Sequence, residues 1–239
     1  MKVLGSIIVL LIALSGSEVF AGTGEMRMQN NDRVLDVGCR PYLQGWQVYN
    51  YESGRFYGSG YFSRRGDCRD MVASMTRGFV CGAENGGAVV FDARKDQRVG
   101  FGWWGSVADC VKAVRGANRG VVCGAQNGGA VVYSRRAGRV LGFGHYIYLR
   151  DCQKAVNNVQ NRMVCGAYNG GAAMFNVRNG SQIGLGFWSS LDTCIDATEI
   201  VRAGEVCAPE GGSIRIARRN SGKTVGGWYS SLKSCQGDL

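Results

Sequence analysis

The chain has little proline and almost no histidine. Only 2 of its 239 residues are proline and 1 is histidine. The scarcity of proline argues against a disordered linker, because such segments are usually rich in proline. A single histidine, together with the absence of any Cys-x-x-Cys pair, argues against a zinc site, and we expect no metal and no cofactor.

The only marked apolar run lies at the start of the chain. Lys2 is followed by apolar residues 3–14, and Val19-Phe20-Ala21 offers a cleavage site, so residues 1–21 are predicted to be a secretory signal. The run is too short to cross a bilayer, which takes about 20 residues. We expect a single domain over residues 22–239, secreted or periplasmic, with no transmembrane segment after cleavage.

The ten cysteines form two regular series. An even number of cysteines behind an export signal predicts five disulfides rather than metal ligands. The first series has a constant spacing of 42 residues: Cys39, Cys81, Cys123, Cys165 and Cys207. The second series keeps that spacing except for its last member: Cys68, Cys110, Cys152, Cys194 and Cys235.

The residues around the cysteines repeat as well. The segment from Cys81 to Phe91 recurs with few changes at residues 123–133 and 165–175, and looser versions begin at Cys39 and Cys207. Atypical end copies are normal in repeat proteins. The mature chain is therefore predicted to consist of five tandem units of about 42 residues.

Each unit is predicted to have the order βββα and the protein to be of the α+β class. Two alternating segments flank an Asn-Gly turn, for example at Asn85, and a third strand carries Gly-x-Gly before two bulky residues. Cys110, Ala113 and Val114 then follow helical spacing, with Ser106 placed to cap the helix. The helical cysteine thus faces the sheet.

Two disulfide schemes fit this unit. Each strand cysteine can bond the helical cysteine 29 residues later, as in Cys39–Cys68, or each helical cysteine can bond the next strand, as in Cys68–Cys81. The second scheme leaves Cys39 and Cys235 to pair and close a ring. Because a strand that returns beneath a helix can bring its cysteine back toward the helix start, the second scheme is favoured.

Cyclically, βββα equals ββαβ, and five ββαβ units around a pseudo-fivefold axis define the pentein or α/β-propeller fold. The mature chain resembles that fold in repeat number and element order only, and no pentein sequence motif is matched. The resemblance implies a closed pseudo-fivefold disc and brings no catalytic residues, since its enzymes use a catalytic cysteine with histidine and carboxylates. A five-bladed β-propeller-like arrangement and an open solenoid are the alternatives.

Three sets of equivalent residues are candidate ligand-binding positions. Aromatic or ring-bearing residues follow Gly-x-Gly at Tyr61, Trp103, His145, Phe187 and Trp228. Varied residues precede the first turn at Tyr42, Glu84, Gln126, Tyr168 and Glu210. Arginines end the second strand at Arg94, Arg136 and Arg178.

These positions predict binding rather than catalysis. His145 stands in an aromatic series, which argues against a catalytic base, and the net charge of +10 favours anionic surfaces over any specific nucleic acid. Aromatic faces stack on sugars and guanidinium groups bind carboxylate, sulfate or phosphate. The sequence therefore predicts a lectin-like module for carbohydrate or an anionic envelope polymer, with a structural or protein-binding factor as the alternative.

Overall fold

The computed structural model describes residues 29–30, 33–84, 86–126 and 128–239. The predicted signal peptide and Asn85 of the predicted hairpin turn lie outside these residues. A short ladder of β1 (Gln29–Asn30) and β2 (Arg33–Val34) precedes the five units.

The five units follow one another in the predicted element order. Unit 1 contains β3 (Val37–Tyr42), β4 (Gly45–Asn50), β5 (Arg55–Phe56) and α1 (Arg65–Ala73). Unit 2 contains β6 (Phe79–Glu84), β7 (Gly87–Asp92), β8 (Gln97–Trp104) and α2 (Val107–Arg115). Unit 3 contains β9 (Val121–Gln126), β10 (Gly129–Ser134), β11 (Arg139–Tyr146) and α3 (Leu149–Asn157). Unit 4 contains β12 (Met163–Tyr168), β13 (Gly171–Asn176), β14 (Gln182–Trp188) and α4 (Leu191–Glu199). Unit 5 contains β15 (Glu205–Glu210), β16 (Ser213–Arg218), β17 (Thr224–Tyr229) and α5 (Leu232–Asp238).

The strands of each unit form an antiparallel meander, which confirms the βββα prediction and the α+β class. In unit 4, β12 and β13 pair in register from Met163↔Asn176 to Tyr168↔Gly171. The turn between them has positive φ at both central residues, 41° at Asn169 and 83° at Gly170. This is the conformation for which Asn-Gly is suited, because both residues tolerate the left-handed region.

The helices bury the apolar stripe that their sequence predicts. In α2, Cys110, Ala113 and Val114 are buried, and the Ser106 hydroxyl accepts a hydrogen bond from the Asp109 N–H at 3.1 Å. Ser190 caps α4 in the same way. None of the described helices has the length and hydropathy needed to cross a membrane.

Consecutive units are joined through their sheets. The last strand of unit 2, β8, lies parallel to the first strand of unit 3, β9, so that β6 to β11 form one six-stranded sheet. Every extensive contact between described helices and strands lies within one unit or joins consecutive units, apart from the small β1–β2 ladder. Closure of the five units into a disc is not shown by these contacts and stays a prediction.

The first glycine of Gly-x-Gly is required by this junction. Gly100 has φ of 80°, and a Cβ there would lie 2.4 Å from the Ala125 carbonyl oxygen of unit 3. Gly142, with φ of 119°, meets Ala167 of unit 4 at the same distance. Because any side chain would collide with the neighbouring backbone, the glycines set how closely two units approach.

The disulfides follow the first of the two schemes, so the favoured pairing is wrong. The bonds are Cys39–Cys68, Cys81–Cys110, Cys123–Cys152, Cys165–Cys194 and Cys207–Cys235. The reason is that each helix packs back over the first two strands of its own unit, as α2 does over β6 and β7. The helical cysteine therefore lies over the strand cysteine of the same unit, and no disulfide connects Cys39 with Cys235.

Stability should fall in alkaline solution because tyrosines are buried. Burial, reinforced by the charge of Asp92, raises the pKa of Tyr133 to about 12. The unfolded chain ionises near pH 10, so stability is complete below that pH and is lost as the pH rises toward 12. We expect a decrease of about 1.4 kcal/mol per pH unit from Tyr133. Urea titrations at pH 9, 10 and 11 would measure it, and a constant free energy of unfolding would contradict it.

Candidate functional site

The predicted ring-bearing side chains lie at or beyond the end of the third strand of each unit, and we call the surface that carries them the aromatic edge. All five of its residues are exposed, with Trp103 at 57% and Trp228 at 64%. In units 1 to 4 the residue that follows is buried, as Trp104 and Trp188 illustrate, whereas Tyr229 of unit 5 is only partly buried. The prediction that one bulky residue of each pair enters the core while the other faces outward is confirmed for units 1 to 4. The members of the aromatic edge are Tyr61, Trp103, His145, Phe187 and Trp228.

A bulge makes this edge protrude. In unit 2, Val90 pairs with Val99 but Ala88 pairs with Trp104, so β8 has extra residues opposite β7. Bulges re-aim side chains away from the regular ladder. As a result Phe101 is 82% exposed, and its equivalents Phe143 and Leu185 are exposed to a similar extent. Sequence reasoning missed this second apolar series, since a regular strand would not have lifted it from the sheet.

The second glycine of the Asn-Gly-Gly turns lies directly beneath the exposed ring, where a larger residue would not fit. A Cβ on Gly129 would lie 2.3 Å from Cδ2 of His145, and one on Gly87 would lie 3.0 Å from Cδ1 of Trp103. Gly171 stands in the same relation to Phe187. The rings therefore lie against bare backbone, which holds them at the end of the sheet without burying them.

The predicted positions before the first turn lie beside the aromatic edge, half-buried. Their side chains are Tyr42, Glu84, Gln126, Tyr168 and Glu210. In unit 4 the Tyr168 ring is stacked on Phe187 with centroids 5.5 Å apart and meets Phe143 of unit 3 edge-on at 5.3 Å. The structure thus joins the two predicted sets into one surface across a unit boundary.

The carboxylates of this set are held by arginines. Arg98 Nη1 lies 3.4 Å from Glu84 Oε2, and Arg215 Nη1 lies 3.4 Å from Glu210 Oε2. The Arg215 guanidinium also lies over the Trp228 ring, 4.6 Å from its centroid. Polar groups that can bind hydroxyls therefore stand next to exposed rings.

A pocket of about 360 Å³ opens on this surface between units 3 and 4. Its walls include the rings of His145, Tyr148 and Tyr168, and its polar groups include Asp151 and Asn169. Tyr148 was not singled out from the sequence. Its signal was available, because Ile147 and Tyr148 stand where each of the other units has serine beside serine, glycine or arginine.

An arginine groove of about 640 Å³ lies at the opposite ends of the strands. It extends over units 2, 3 and 4, and Gly120, Val159 and Val177 complete its wall. The predicted Arg94 and Arg136 both line it, whereas Arg178 does not. Its arginines are Arg77, Arg94, Arg119, Arg135, Arg136 and Arg162.

Arg178 nevertheless lies in the field of this cluster. The positive charge of Arg162, with burial and the charges of Arg136 and Arg219, lowers the pKa of Arg178. The group is still cationic near neutral pH, because arginine titrates far above it. An anion bound next to a guanidinium surrounded by like charges would reduce the repulsion between those charges.

The described residues contain no group of three or more His, Cys, Asp and Glu that could hold a metal ion. The ten cysteines are all bonded in pairs. The side chains at both edges offer stacking, hydrogen bonding and ion pairing.

Comparison with models of known protein families finds none that matches the chain, and comparison with curated proteins finds no significant relative.

Proposed function

We propose that the protein is an exported lectin-like module that binds carbohydrate at its aromatic edge. The observation that carries this proposal is the recurrence of an exposed ring at the same position in all five units. Sugar rings present C–H faces that pack on aromatic faces, and nearby polar groups bind their hydroxyls. The aromatic edge offers both within reach of one another.

The pocket between units 3 and 4 is the best-formed subsite. Its volume of about 360 Å³ lies within the range typical of small-molecule sites. Tyr168 supplies a ring that Phe143 and Phe187 hold in place, and Asp151 supplies a carboxylate for two sugar hydroxyls. We infer that one sugar residue of the ligand is bound here.

A binding surface that is repeated in five units suits a ligand made of several linked sugars. A chain of sugars can contact the edges of several units, and linked weak sites gain avidity without any new kind of contact. The five positions carry four kinds of ring, with tryptophan present twice, so the subsites are unequal.

Export and the absence of catalysis belong to the same proposal. Disulfides at regular spacing are typical of extracellular or periplasmic proteins, because those compartments are oxidising. His145, the single histidine, lies over Gly129 on an exposed edge, where a stacking role fits better than proton transfer.

Removing the ring of Tyr168 or of Trp103 should weaken glycan binding. Tyr168→Ala deletes the ring of the pocket, and we expect at least about a tenfold loss of affinity, equivalent to about 1.4 kcal/mol. Tyr168→Phe keeps the ring and should keep most of the binding. A glycan array would identify a ligand, and calorimetry with that glycan would measure each variant.

The matched control is Ile200→Ala, which also shortens an exposed apolar residue but lies outside the aromatic edge. It should bind like the unmodified protein. Equal affinity of the Tyr168→Ala and Ile200→Ala variants would contradict the proposal.

The alternative is a protein-binding factor, and Leu185 favours it. Phe101, Phe143 and Leu185 form a strongly exposed apolar series, and leucine does not stack on sugars. If the protein binds no glycan on the array, and binds a protein partner that the Leu185→Ser variant no longer binds, this second function would be established instead.

A further inference from the structure

The arginine groove is built from two kinds of turn that meet at one end of the sheet. The helix-to-strand turns contribute Arg77, Arg119 and Arg162, and the hairpins after the second strands contribute Arg94 and Arg136. Because a first strand begins where the second strand ends, both turns of every unit lie side by side. The groove therefore continues along the direction in which the units stack.

The five arginines just named have no carboxylate partner in the described part of the chain. All five are exposed, and none forms a salt bridge with a described residue. The sixth, Arg135, is held in place: its Nε donates to Asp92 Oδ2 at 2.7 Å and its Nη1 to the Arg77 carbonyl at 2.7 Å. Five positive charges of the groove are thus not compensated by any carboxylate of the described residues.

Backbone strain accompanies these arginines. Arg162 has φ of 64° at a turn position that is Gly78, Gly120 or Gly204 in the other units. Arg77 and Arg119 also have positive φ, 53° and 49°. A side chain other than glycine in this region is unfavourable and is kept where the surroundings or a function demand it. At Arg162 glycine would fold more easily, yet a guanidinium stands in the groove.

We propose that the arginine groove binds a linear anionic polysaccharide whose sulfate, phosphate or carboxylate groups pair with guanidinium groups of three consecutive units. Guanidinium groups bind these anions with two parallel hydrogen bonds. The apolar contacts that remain for sugar rings are those of Val159 and Val177. This site lies at the edge opposite the aromatic edge and does not depend on the function proposed there.

The groove is better suited to a polysaccharide than to a nucleic acid. Proteins that bind single strands without sequence preference stack bases on aromatic side chains. No aromatic residue is among the described residues that line the groove. Phe79 is buried beneath the Arg135 guanidinium, which lies 4.1 Å from the ring centroid, so this ring is not open to a base.

The test is calorimetry of the full chain with a heparin oligosaccharide, which carries sulfate and carboxylate, at two salt concentrations. We expect salt-sensitive binding that falls at least about 30-fold when Arg94→Gln, Arg136→Gln and Arg162→Gly are combined.

The charge-matched control combines Arg64→Gln, Arg150→Gln and Lys233→Gln, all exposed beside helix starts. It should lose less than about threefold. Equal losses in the two triple variants would overturn the proposal.

Two further arms separate the possible ligands. Polygalacturonate, which carries carboxylate alone, shows whether sulfate is needed, and single-stranded DNA tests the competing polymer. DNA binding as tight as that of heparin, lost in the same triple variant, would overturn the polysaccharide assignment. Heparin binding that is lost in Tyr168→Ala but kept in the arginine triple variant would place heparin at the aromatic edge and overturn the proposal for the groove, so failure at one surface is distinguishable from failure at the other.

The single variant Arg162→Gly gives a readout that a structural role would not. It should raise Tm by roughly 2–4 °C, because glycine accepts the positive φ, while it weakens heparin binding. A lower Tm, or unchanged binding, would contradict a role for this arginine in the groove.

Discussion

Replacing Gly142 by alanine should destabilise the protein by about 3 kcal/mol or more, whereas the same change at Gly144 should be nearly neutral. The two residues belong to one Gly-x-Gly. A Cβ at Gly142 would lie 2.4 Å from the Ala167 carbonyl oxygen, and φ is 119° there, outside the region open to alanine. At Gly144 the nearest atom would be 3.6 Å away, and φ is not positive.

Urea denaturation of both variants measures this difference. Because the collision is with the backbone of unit 4, neither a rotamer change nor a small shift of a side chain relieves it. Gly144→Ala also lowers the entropy of the unfolded chain, which offsets any small loss by about 0.4–1 kcal/mol. Similar free energies of unfolding for the two variants would mean that the units do not approach as closely as the structure shows.

Removing one disulfide should lower the free energy of unfolding by about half as much as a pair of substitutions that breaks two disulfides. The double variant Cys123→Ala/Cys152→Ala removes one bond whose cysteines are 29 residues apart. Closing a loop of that length in the unfolded chain is worth roughly 3.5 kcal/mol. A typical domain has only about 5–15 kcal/mol of stability, so this loss is large.

The control for this prediction is Cys110→Ala/Cys123→Ala. It removes two cysteines as well, but it breaks two bonds and leaves Cys81 and Cys152 as free thiols. We expect a loss of roughly 7 kcal/mol if the two bonds act independently. Thiol titration checks the pairing directly: free thiols in the first variant and none in the second would reverse the assignment.

The local structure of the units could be predicted from the sequence because it follows from local patterns. Alternation, an Asn-Gly turn and helical spacing all operate within a few residues. The stripe of Cys110, Ala113 and Val114 is buried as its spacing predicts. The same reasoning separated Trp103 from Trp104, since neighbours in a strand point to opposite sides.

The disulfide pairing could not be predicted in this way. Both schemes satisfy the spacing, and the choice depends on which strands the helix covers. A helix that follows the third strand can pack on its own unit or lean over the next one. The chain packs α2 on β6 and β7, which brings Cys110 to Cys81. The ring closure that the other scheme implied has no disulfide to support it.

The candidate sites were predicted in part. The exposed rings of the aromatic edge could be predicted from the sequence. The bulge that exposes Phe101 could not. Arg94 and Arg136 were recognised, while Arg77, Arg119 and Arg162 were missed because they belong to a different turn. They join one groove only when the strands are paired.

The order βββα in five units, the positions of the turns and caps, and the apolar side of each helix could all be predicted from the residue pattern alone. These properties depend on residues near one another in the chain. The packed fold was needed to show which cysteines bond, how closely two units approach at glycine, and that turns of three units share one groove of arginines. Those properties depend on the packing of segments that are far apart in the chain, 29 residues for Cys123–Cys152 and 58 for Arg135 and Arg77, and no local pattern specifies it.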